Sequence, residues 1–163
     1  MVMNIYKLSS STPAALRAMW TLSAIGATDE DWLLEQSNDE REHIRTWAIK
    51  LLIDQGPLST KTQKRFIEMA SKDNAGLVQL HLAGAVQKLP LEKRWPLATA
   101  LVSQDTFAKD SVFPLMVWYG INPAVTKHRT EALKLVSNCK LPKVRQFIAR
   151  RLAGDPGESN KQD

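Results

Sequence analysis

One cysteine, Cys139, stands in a chain of 163 residues. That count excludes an internal disulfide framework, a cysteine-rich zinc site and a CxxCH haem attachment. Tyrosine is nearly as scarce, with two residues, and glycine supplies only seven. The glycines form no GxGxxG or Walker-type loop, and no GxSxG occurs, so nucleotide-binding and hydrolase readings lack their usual motifs. No run approaches the ~20 apolar residues that span a bilayer. At the start, Met1–Leu8 carries one Lys and is followed by Ser9-Ser10-Ser11-Thr12-Pro13 rather than an apolar leader core, so the segment does not read as a signal peptide. Nothing here directs the chain as written out of the cytoplasm.

What is present is ordinary for one folded domain: 44% hydrophobic and 24% charged residues. The net charge of +5 hides a strong polarity. Residues 1–60 hold five basic and eight acidic side chains, whereas residues 61–163 hold seventeen and nine. Between Lys127 and Arg151, Glu131 is the sole acid among eight cations. Such a pole suits phosphate or an acidic protein, or it is a solvated helix surface.

Apolar residues recur three and four apart almost throughout, and no stretch alternates as a strand does. The pattern predicts nine helices, over 13–26, 29–37, 40–55, 60–71, 74–88, 91–103, 110–120, 123–138 and 141–152. Pro13, Pro96, Pro114, Pro123 and Pro142 fall near proposed starts, where a missing N–H costs little. Thr28 with Asp31 and Thr60 with Gln63 have capping-box spacing. Gly26, Gly56, Gly120 and Gly154 mark proposed ends.

The helices repeat. Leu16-Arg17, Ile44-Arg45, Val78-Gln79, Val112-Phe113 and Val144-Arg145 align at intervals of about thirty residues. Stepping by four from each first member predicts one buried stripe per second helix: Leu16, Trp20, Ala24; Ile44, Ala48, Leu52; Val78, Leu82, Val86; Val112, Met116, Gly120; Val144, Ile148, Leu152. A helix pair of this length cannot bury its apolar face alone, so neighbours must stack. The expected fold is all-α, an α-solenoid of about five HEAT-like pairs over residues 13–153, the first pair incomplete. Residues 1–12 are expected to form a partial cap or cut repeat, and 154–163 a flexible polar tail or linker. HEAT repeats commonly place an Asp in the turn six residues before an Arg. Asp39 with Arg45 keeps that spacing, and Asp73 with Gln79 half keeps it. Asp39, Arg45 and Asp73 are therefore the expected inter-repeat structural residues.

Several stretches, in order, resemble one family. Ala18–Gly26, Leu80–Pro90, Pro114–Ile121 and Val144–Leu152 are similar to the helical region of planctomycete-type membrane-bound dehydrogenases, also called haem-binding CxxCH proteins. The resemblance runs from about Ala14 to Leu152. In that family a β-propeller precedes the helical region and a c-type cytochrome segment follows it. Neither is present here, so no dehydrogenase or haem residue carries over. The resemblance implies a middle module of a larger oxidoreductase-like protein of the cell envelope or periplasm.

No catalytic, cofactor or metal residue is singled out. His43, His81 and His128 lie 38 and 47 residues apart, with no HExxH spacing. Cys139 has a basic neighbour, Lys140, but no base paired to it, and reads as a bystander. Trp20, Trp47 and Trp118 are expected in the core, and Trp32 and Trp95 partly exposed. The candidate interaction surface comprises Arg45, Gln79, Trp118, Tyr119, Arg145, Arg150 and Arg151. Two functions fit: a non-catalytic scaffold binding a protein partner or neighbouring domains, and a basic nucleic-acid binder of the DNA-alkylation-repair type.

Overall fold

The computed structural model describes residues 4–6, 9 and 11–154, and the expected tail lies almost wholly outside them. Helical structure begins with one turn at 4–6. Nine α-helices follow among the described residues: α1 (Thr12–Ala24), α2 (Glu30–Gln36), α3 (Glu42–Asp54), α4 (Thr60–Lys72), α5 (Gly76–Ala85), α6 (Arg94–Val102), α7 (Phe113–Val125), α8 (Arg129–Asn138) and α9 (Pro142–Ala153). Short 3-10 turns at Val86–Lys88 and Leu91–Lys93 bridge α5 to α6, where Pro90 cannot continue a helix.

Packing divides the helices into two layers. The second helices α1, α3, α5, α7 and α9 each lie against the next, and the first helices α2, α4, α6 and α8 do likewise. Each layer buries its inner face against the other, as an all-α solenoid requires. Phe66 and Met69 of α4, Leu97 and Leu101 of α6, and Ile44, Leu82 and Ile121 of the second-helix layer form one continuous core. At the first end, Tyr6 is buried beside Trp32, its hydroxyl donating to Gln36 Oε1 at 2.7 Å, while Ile5 stays exposed. Burial, with the Asp39 charge nearby, pushes the Tyr6 hydroxyl up to about 12.

Several expectations need correction. The helix caps are Asp29 and Ser59, one residue from the expected positions: Asp29 accepts from Trp32 N–H at 2.8 Å and Ser59 Oγ from Thr62 N–H at 3.1 Å. Gly26 and Gly56 do end helices, with φ of 70° and 118°. Gly120 and Pro123 do not punctuate; both sit inside α7, which continues to Val125. Pro123 lies in the final turn, where its missing N–H forfeits a single backbone bond. Gly120 is needed for contact, because a Cβ there would lie 2.8 Å from Val86 Cβ and Cγ1.

The buried stripe is offset by one residue in two helices. In α1 the core takes Ala15, Met19 and Leu22, and in α7 Phe113, Val117 and Ile121. Trp20 is left 40% exposed and Val112 49% exposed, contrary to the stripe predicted from the repeat. Both helices carry two adjacent apolar rows, so periodicity alone cannot choose which faces inward. The row not chosen remains on the surface.

Candidate interaction surface

Three of the turns before second helices use one device. The Oδ1 atoms of Asp39, Asp73 and Asp110 accept the backbone N–H two residues on, from Arg41 (2.8 Å), Ala75 (2.9 Å) and Val112 (2.8 Å). Aspartate does this well because its short side chain reaches its own backbone. The Arg41 guanidinium on Asp39, and the Val112 and Phe113 N–H groups on Asp110, hold both carboxyls below the ordinary range. The hydroxyls of Ser59 and Thr62 do the same for Glu30. A depressed folded pKa means stability that is full above the unfolded values of roughly 4 and is lost as pH falls through the folded ones. The urea midpoint should therefore fall between pH 5 and pH 3. Asp39→Asn should be less stable at pH 7 but show a shallower decline; an unchanged slope contradicts this.

Arg45 belongs to these turns, not to an open surface. Its Nε and Nη2 donate to Asp73 Oδ2 and Oδ1 at 2.7 and 3.1 Å, and Nη1 donates to the Asp39 and Glu40 carbonyls at 2.9 Å each. Its carboxylate partner is thus Asp73 in the next repeat rather than Asp39, whose side chain pairs with Arg41 at 2.7 Å. Gln79 is 2% exposed, and its amide donates to the Asp73 carbonyl at 2.6 Å. Arg45 consequently ties turn to turn, Gln79 ties its helix to the end of α4 and the Asp73 turn, and neither side chain is open to the surface.

The remaining candidates are better placed. Tyr119 is 55% exposed on α7. Trp118 is half-buried against Phe147, ring centroids 5.4 Å apart, sealing α7 to α9. Arg145, Arg150 and Arg151 are exposed on α9, and no carboxylate among the described residues pairs with them. Trp95, expected partly exposed, is buried beside His128, ring centroids 6.3 Å apart. Cys139 is buried as well, its Sγ donating to the Leu141 carbonyl at 3.4 Å, and burial pushes the thiol up despite the nearby Arg145. A disulfide reagent at pH 8 should leave the native thiol unmodified and label it promptly in urea.

Sequence reasoning missed the face that links these residues. Trp20 of α1 meets Trp47 of α3 edge-on, centroids 4.8 Å apart. Lys50 lies 5.6 Å above the Trp47 ring and pairs with Asp54 at 2.9 Å. Beyond it, α3, α5 and α7 bound an open groove of about 410 Å³, lined among others by Leu80, His81, Gly84 and Met116. His81 Nδ1 sits 2.9 Å from the Leu77 carbonyl, an arrangement that makes this nitrogen the donor. The exposed face of the second helices therefore runs from paired indoles through a cation-flanked apolar groove to Met116 and Tyr119. Its signal in the sequence was the doubled apolar row of α1 and α7. No family model matches the chain, and no curated protein or solved structure is significantly similar to it.

Proposed function

We propose that the chain is a non-catalytic helical-repeat interaction module, and that its contact surface is the exposed face of the second-helix layer. The observation that carries this reading is the surplus apolar row. Trp20 on the unused row of α1, Val112 just before α7 and Tyr119 on α7 are exposed along one layer. Exposed apolar side chains flanked by charge on one layer are a feature of interaction sites. The partner is a protein, or a neighbouring domain of a parent chain. Following the family resemblance, the module would serve as a scaffold within a larger envelope oxidoreductase-like protein. The test is retention of a partner from extracts of the source cell. Wild type and Leu133→Ser, altered on the exposed side of α8, should retain the same protein, and Trp20→Ser/Tyr119→Ser should lose it. Equal retention by all three contradicts the reading.

A second reading, nucleic-acid binding, rests on α9, where Lys143, Arg145, Arg150 and Arg151 all face solvent. It requires phosphate contacts and an affinity that falls steeply with salt. Titration with duplex and single-stranded DNA at two salt concentrations decides it, and absence of binding at low salt removes it.

A further inference from the structure

Within the second-helix layer, the groove between α3 and α5 does not stop at its own rim. Ile53 and Lys88 line both it and a second cavity of about 510 Å³, which continues past Pro57, Leu58, Leu89 and Pro90 to Lys93. The two cavities adjoin at these residues, one on the helix face and the other toward the inter-helix loops, and we refer to the pair as one furrow. Each part is of the size that takes a few side chains of a ligand.

Three features define what fits there. The floor is aliphatic: Ile53, Leu80 and Met116 in the first part, Leu58 and Leu89 in the second. Its centre is open because Gly84 has no side chain; a Cβ there would touch only Met116 Cε, at 3.7 Å. The charged groups on the walls are Lys50, Lys88, Lys93 and Asp54, and Asp54 is already neutralised by Lys50. No carboxylate among the described residues pairs with Lys88 or Lys93.

We propose that this furrow binds an extended, acidic peptide segment that inserts aliphatic side chains over Gly84 and sets its carboxylates against Lys88 and Lys93. The inference rests on the reading of the second-helix layer as a contact surface and names its partner class. Aliphatic walls with a few separated cations favour a peptide over a nucleic acid. A single strand needs free aromatic faces for its bases and a cation near each phosphate. The Trp47 ring instead has Lys50 over it and the Trp20 ring against it. Carboxylates spaced along a peptide can also meet the exposed Lys88 and Lys93 while its aliphatic side chains occupy the groove.

A phage-displayed library of random twelve-residue peptides, selected on the full chain, tests this. Enriched peptides should carry net negative charge with Leu, Ile or Val anchors. Their binding, measured by fluorescence polarisation, should weaken at least tenfold on Gly84→Leu and about threefold to tenfold on Lys88→Glu. Circular dichroism and urea midpoints verify that both variants fold, and Lys88→Glu alters a solvent-exposed residue if Gly84→Leu does not. Peptides that are neutral or basic, or the absence of any enrichment, overturn the proposal. Binding that survives both groove variants but falls with Trp20→Ser/Tyr119→Ser overturns the groove while leaving the wider surface reading intact. Preferential occupancy of the groove by a twenty-residue oligothymidine, lost on Gly84→Leu, also overturns it in favour of a nucleic acid.

Discussion

Asp73→Ala should destabilise the chain by about 3 kcal/mol, the scale of removing one partner from a largely buried ion pair. The side chains of Asp73 and Arg45 are only 11% and 17% exposed. Loss of the carboxylate strands the guanidinium and frees the Ala75 N–H that Asp73 Oδ1 accepts. It also loosens the turn whose carbonyl holds the Gln79 amide. Arg45→Ala removes the same pair from the other side, so the two effects should not add. A double-mutant cycle in urea should give a coupling of at least about 1.5 kcal/mol, within the range for residues sharing a network. The Asp39–Arg41 pair is partly buried too, but it joins residues two apart within one turn, so it should couple less than the pair that joins two repeats. Equal coupling in the two pairs would mean that Arg45 and Asp73 do not join the repeats.

Gly120→Ala is the second large effect. In a helix interior alanine ordinarily gains about 1 kcal/mol over glycine. Here the new Cβ falls 2.8 Å from two atoms of Val86, which is fully buried and branched at Cβ. Such a side chain cannot turn aside, so α7 must move off the 3-10 turn that follows α5. Overpacking of this kind costs about 1–3 kcal/mol, and the clash with two atoms at once places the net loss near 2. For a domain of this size that lowers Tm by roughly 4–8 °C. The Arg94 Nη1 donor, 2.6 Å from the Gly120 carbonyl, resists the displacement from the other side. Val86→Ala alone leaves a cavity, but combined with Gly120→Ala it should recover much of the loss. A Gly120→Ala variant as stable as wild type contradicts the close approach.

The two glycines make different demands, which separates steric need from propensity. Gly84 has open space around it and faces the groove, whereas Gly120 is pressed by Val86. In the sequence Gly84 falls inside an expected helix and Gly120 at an expected helix end, and neither placement shows which of them is packed. Gly120 looked like a helix end because glycine and the following Pro123 usually are one. Only the packing of α5 against α7 explains why both stay inside the helix.

Fold class, helix number and repeat length were legible because each depends on local periodicity and punctuation. The inward register was legible in α3, α5 and α9, where Ile44, Ala48 and Leu52, Val78, Leu82 and Val86, and Val144 and Ile148 are buried as the repeat predicts. In α1 and α7 it was not, because Ala15/Leu16 and Val112/Phe113 offer alternative rows of similar hydropathy. The ladder residues were recognised by type, but their pairing was not. The spacing from Asp39 to Arg45 suggested a local pair, while the carboxylate that Arg45 meets comes from 28 residues away. Gln79 looked polar and available, yet its amide is satisfied by turn carbonyls inside the stack. The basic α9 was read correctly as exposed, and the indole pair of Trp20 and Trp47 was missed because tryptophan is ordinarily interior.

The exposed face of the second-helix layer is the centre of this account, and site-specific photocrosslinking in the source cell tests it most directly. A photoreactive phenylalanine derivative replaces Trp20 or Tyr119 on that face, or Leu133 on α8 as the comparison. Adducts to a common partner from the first two positions, and none from Leu133, are the result expected. Adducts from Leu133 alone, or none from Trp20 and Tyr119, would contradict it.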